Sequence, residues 1–84
     1  MAFKKLRFKY NISNFYFSSL RALEYVGKEN MSMAEIYSRR AVKYGRRARD
    51  LSSKIGVSLD ENFTNMLSCA EEAYEFAKKH NKKS

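Results

Sequence analysis

The chain has 84 residues, with 17 Lys and Arg against 9 Asp and Glu, a formal net charge of +8 and a pI near 9.8. That length allows one small domain, which buries only about 60–65% of the surface its unfolded chain exposes. The single cysteine, Cys69, excludes an internal disulfide and fits a reducing compartment, and with one histidine, His80, no His/Cys metal cluster can be assembled. No apolar run approaches the ~20 residues of a membrane span, and Lys4 and Lys5 are followed by no signal-type apolar stretch. The expectation is a cytoplasmic protein away from the membrane. Six Phe and six Tyr argue against disorder, and the positive excess favours a polyanionic partner.

In chain order, the first distinctive stretch is Leu6-Arg7-Phe8-Lys9-Tyr10-Asn11-Ile12, in which every second residue is apolar. Strict alternation predicts a β-strand over 6–12 with Arg7, Lys9 and Asn11 on its polar face. A lone strand leaves its backbone groups unpaired, so its partner should be the same strand of a second copy. A first helix follows over 14–26, started by Ser13 or Asn14, with Tyr16, Leu20 and Leu23 on its inner face and Gly27 as terminator. Ser32-Met33-Ala34-Glu35 has the form of a capping box, opening a second helix over 33–55. There Tyr37, Ala41, Tyr44, Ala48, Leu51 and Ile55 recur at spacings of four and three, opposite Arg39, Lys43, Arg46, Arg47 and Lys54. Gly56 ends it. Ser58-Leu59-Asp60-Glu61 repeats the box, and a third helix over 59–80 carries Leu59, Phe63, Met66, Leu67, Ala70, Ala73, Tyr74 and Ala77 on one face. The second and third helices should form an antiparallel hairpin with their basic and acidic outer rows adjacent. A frayed basic tail, 81–84, completes a single domain.

Little in this sequence suits catalysis. A nucleophile needs a neighbouring base, and the one histidine lies near the C-terminus. Glu71, Glu72 and Glu75 are most simply a solvated helix face. Cys69 borders the apolar face of the third helix and is expected to be a buried thiol. There is no glycine-rich phosphate loop. The expectation is a non-enzyme without cofactor or metal.

The order of elements, a basic alternating strand, a helix, a turn and a capped basic helix, resembles the ribbon-helix-helix DNA-binding family over about residues 6–45. The segment Asn30-Met31-Ser32-Met33-Ala34-Glu35-Ile36-Tyr37 is similar to the start of that family's second helix. The resemblance implies a mainly α fold, a short N-terminal strand and three helices, forming a ribbon-helix-helix homodimer with a C-terminal helical extension. It implies a transcriptional or plasmid/phage regulator whose ribbon enters the major groove of duplex DNA. Base contacts would fall to Arg7, Lys9 and Asn11, with Lys5 a weaker candidate, and a phosphate would be held at Ser32 and Met33. The core position implied for Ile36 conflicts with its place near the basic side of the helical wheel. Arg39, Lys43, Arg46 and Arg47 would add backbone contacts.

Two other functions fit the residues. The basic face of the second helix, or the exposed strand, could dock on an acidic partner protein, as an accessory or inhibitor of phage or plasmid type would. Alternatively, the helical hairpin could track an RNA backbone with its Arg-rich face.

Overall fold

The computed structural model describes residues 2–81, and over these the fold is three helices without a strand: α1 (Ala2–Gly27), α2 (Met31–Ile55) and α3 (Glu61–Asn81). The bundle is elongated, 46 × 21 × 17 Å. α2 is central. α1 packs antiparallel along its full length on one side, α3 returns along the other, and α1 meets α3 over a shorter stretch. Past Asn81 the expected basic tail lies outside the described residues.

The predicted strand is replaced by the first turns of α1, which removes the β-ribbon and with it the ribbon-helix-helix fold, its dimer interface and its major-groove reading of DNA. The reason lies in the spacing. Leu6 and Tyr10 are four residues apart, as are Phe8 and Ile12. In a helix each pair shares a face, while residues two apart diverge by about 200°. Two i,i+4 pairs on opposite faces therefore mimic strand alternation. Phe8 and Ile12 pack against the core, whereas Leu6 and Tyr10 are 63% and 61% exposed.

The inner face of α1 also differs from expectation. Tyr16, Leu20 and Leu23 are exposed, and the buried seam is Asn11, Phe15, Ser18, Ser19 and Ala22. Opposite it, α2 buries Ala34, Ser38, Ala41, Gly45, Ala48 and Ser52 at spacings of 4, 3, 4, 3 and 4. Nearly all are small, so the two backbones approach closely and the large side chains of α2 (Tyr37, Tyr44, Leu51 and Ile55) flank the seam half-buried. The two buried hydroxyls of α2 are satisfied within the helix, Ser38 Oγ donating to the Ala34 carbonyl at 2.6 Å and Ser52 Oγ to the Arg49 carbonyl at 2.7 Å, whereas Ser19 Oγ of α1 is buried without a hydrogen-bond partner among the described residues. Phe15, fully buried, fills the one wide gap, against Phe63 and Leu67 of α3. Gly45 makes room for it: a Cβ there would lie 2.7 Å from Leu67 Cδ1 and 2.9 Å from the Phe15 ring.

The helix ends are set by residues other than those expected. Asn30, not Ser32, caps α2, its Oδ1 accepting from the Met33 N–H at 3.2 Å. Asp60, not Ser58, accepts from the Phe63 N–H at 2.9 Å at the start of α3. Glu35 turns across the bundle and accepts from Asn81 Nδ2 at 3.0 Å. α1 closes past Gly27: the Asn30 N–H donates to the Tyr25 carbonyl and the Glu29 N–H to Val26, with Glu29 left-handed at φ 59°. α2 closes the same way on Gly56, φ 73°.

Candidate polyanion-binding face

α2 has a neighbour on each side, and the strip it turns outward is basic. Arg39, Lys43, Arg47 and Lys54 are all exposed there. With a rise of 1.5 Å per residue the row spans about 22 Å. None of the four has an acidic partner within 4 Å among the described residues, where the ion pairs are Arg21–Glu24, Lys28–Glu24 and Arg46–Glu71. Asp50, the acid within the strip, also makes no ion pair there. Arg46 leans toward α3 and bonds Glu71 Oε2 at 2.9 Å, so the outer rows of α2 and α3 do meet at this point. Arg40 sits over the Tyr37 ring, 5.4 Å from its centroid.

Shallow grooves border the strip on both sides. Between α2 and α3, about 390 Å³ of open space is lined by Arg39, Val42, Lys43, Arg46, Arg47 and Tyr74. Between α2 and α1, about 500 Å³ is lined by Arg7, Tyr10, Asn11, Arg47, Asp50, Leu51 and Lys54. Arg47 belongs to both. The antiparallel register of α1 on α2 brings Arg7 and the exposed Tyr10 ring beside Arg47 and Lys54. Sequence alone gives no register between the two helices, so it holds no signal for that pairing.

The residues expected on a strand face are dispersed by the helix. Arg7 and Asn11 point to the α2 flank of α1, while Lys5 and Lys9, about 200° from Arg7, lie on the far side, both exposed. Asn11 is only 7% exposed, its amide donating to the Arg7 carbonyl at 2.7 Å. Ser32 is exposed and its hydroxyl donates to Asn81 Oδ1 at 3.3 Å, while the Met33 N–H is already taken by Asn30. Arg7, Arg39, Lys43, Arg46 and Arg47 are the expected residues that the fold brings together, and Tyr10 and Lys54 join them.

Cys69 is exposed, contrary to the expected buried thiol. Among the described residues no group of His, Cys, Asp or Glu could hold a metal ion, and no helix is long and apolar enough to cross a membrane. The basic strip is suited to electrostatic contact with closely spaced anions: long cationic side chains, unpaired, on a rigid rod. Comparison with protein-family models, with curated proteins and with solved structures finds no match.

Proposed function

We propose that this compact three-helix domain is an RNA-binding module that holds a phosphate backbone against the outward strip of α2. The observation that carries it is the row Arg39, Lys43, Arg47 and Lys54, unpaired over about 22 Å and extended across a groove by Arg7. Cations aligned on one rigid element, without a neutralising acidic row, fit a polyanion better than a merely solvated face. With no strand among the described residues, the contacts expected are to phosphate and sugar. Structured RNA is recognised largely through such contacts and through shape.

Fluorescence anisotropy with a labelled RNA hairpin tests this. Five cations on phosphates give a log–log salt slope of about −4, and Lys43→Glu with Arg47→Glu should reduce affinity more than tenfold while leaving helicity unchanged. Equal competition by RNA hairpin and by duplex DNA would remove the RNA preference. No binding at low salt, together with recovery of a stoichiometric acidic protein from nuclease-treated lysate, would replace the nucleic acid by a protein partner.

A further inference from the structure

The outer face of α1 is apolar and largely uncovered, Tyr10 alone meeting α2 edge-on at Tyr44, 6.3 Å between ring centroids. Phe3, Leu6, Tyr10, Phe17 and Leu20, with Ser13 between them, recur at spacings of 3, 4, 3, 4 and 3. Alternating spacings of three and four, a repeat of 3.5 residues, are the signature of a seam between two supercoiled helices. Tyr16 and Leu23 border the stripe, and the seven large side chains are between 37% and 80% exposed. Taking ~200 Å² for each large side chain, they leave on the order of 800 Å² of apolar surface in one strip. That exceeds the largest patch of a typical monomer, about 300–600 Å², and matches the ~800 Å² per partner of a standard interface.

We propose that α1 pairs with α1 of a second copy in an antiparallel two-helix seam, making the protein a two-fold dimer. A two-fold interface must be self-complementary, and this stripe is. In the antiparallel register that sets each stripe residue against the one equally far from the other end of the stripe, Phe3 faces Leu20 of the second copy, Leu6 faces Phe17, and Tyr10 faces Ser13. Every position finds a counterpart, and the middle layers set the largest side chain against the smallest, which lets them interdigitate. Charge excludes the parallel alternative. Lys4, Lys5, Arg7 and Lys9 crowd the first part of α1, which has no acid before Glu24. Parallel pairing would set these cations against their own copies, and would set Ser13 against Ser13 with a void between. The antiparallel seam holds the two cationic ends a helix length apart. Tyr10, at the border of the α1–α2 groove, is shared with the basic site; the other seam positions lie on α1 away from it, so the inference does not depend on what the α2 strip binds.

Sedimentation equilibrium of the full chain at micromolar concentration should give twice the 9.9 kDa chain mass. The double variant Leu6→Glu, Leu20→Glu, at two exposed positions, should give the single mass with helicity retained. Should that variant unfold, cross-linking of otherwise native chains decides. In a Cys69→Ser background, Phe3→Cys mixed with Leu20→Cys should form a mixed disulfide on mild oxidation, and Phe3→Cys alone should not dimerise. A single mass for the native chain, a dimer that survives the Glu pair, or disulfides between Phe3→Cys copies would each overturn the proposal. So would a monomer that binds vesicles of equimolar phosphatidylcholine and phosphatidylserine through this face.

Discussion

Phe15 of α1 and Phe63 of α3 meet with ring centroids 4.7 Å apart at 48°. Their contact ties the outer two helices together past the edge of α2, at the point where Gly45 lacks a side chain. The centre of the bundle therefore depends on one aromatic pair and one missing methyl group.

Gly45→Ala sets two effects against each other. Alanine favours the helix by about 1 kcal/mol, but its Cβ would overlap Leu67 and the Phe15 ring, and overpacking costs about 1–3 kcal/mol. Phe15 is fully buried with its ring 4.7 Å from that of Phe63, so the overlap is expected to win. Chemical denaturation should show Gly45→Ala modestly destabilised and Gly45→Val much more so. A stabilised Gly45→Ala would mean that the three helices are further apart than described.

The two reversing turns share one bond, Asn30 N–H to the Tyr25 carbonyl in one and Val57 N–H to the Ser52 carbonyl in the other, but differ in the residue at the left-handed position, Glu29 against Gly56. A left-handed residue with a Cβ costs roughly 1 kcal/mol. Glu29→Gly should raise the unfolding midpoint and Gly56→Ala should lower it. Gly27 remains helical with nothing within 4 Å of its Cβ site, so Gly27→Ala should stabilise by up to about 1 kcal/mol. Thermal melts of the three variants give the expected order directly.

Caps provide a cleaner contrast. Asn30 and Asp60 each accept a backbone N–H of the first helical turn, so Asn30→Ala and Asp60→Ala should each cost about 1 kcal/mol. Ser58→Ala should be nearly silent in the same urea titration, although sequence makes Ser58 look like the cap.

The Arg46–Glu71 pair is exposed, with side chains 56% and 41% accessible. Solvent screening limits such a pair to a few tenths of a kcal/mol, about 0.5 at most. Glu71→Gln should leave stability almost unchanged. It should tighten RNA binding at low salt, because Arg46 is released to the same surface as Lys43 and Arg47. Anisotropy titrations of the wild-type chain and Glu71→Gln, side by side, read this out.

α2 and α3 are legible in the sequence because their apolar and charged residues separate onto opposite faces, and the basic strip of α2 follows from the same spacing. α3 also buries residues that its periodicity selects, Phe63, Leu67, Ala70 and Ala77. α1 is not legible, for a physical reason. Its inner face is built from Asn11, Ser18, Ser19 and Ala22 around one Phe15, and its outer face from Leu6, Tyr10, Phe17 and Leu20. Hydrophobic periodicity weights side chains by size and polarity, so it chooses the outer face as the core. Close helix contact needs the opposite, small residues that let backbones approach. The same preference shifts the predicted seam of α2 toward Tyr37, Tyr44 and Leu51 and away from Ser38 and Ser52. The site suffers in turn: Arg7 and Tyr10 reach it only through the α1–α2 register, which depends on that small-residue seam.

The alternation of Leu6–Ile12 has a consequence during synthesis. As a helix the segment depends on Phe8 and Ile12 docking on the late turns of α2, but the ribosome makes those turns some 40 residues afterwards. At about 5–20 residues per second the segment waits roughly 2–8 s without its partner. In that interval its period of two is well suited to strand pairing with another nascent chain. Arg7 and Lys9, at the alternate positions, set like charges against any such pairing. Replacing both by threonine should leave the folded bundle intact and send newly made chains into inclusion bodies.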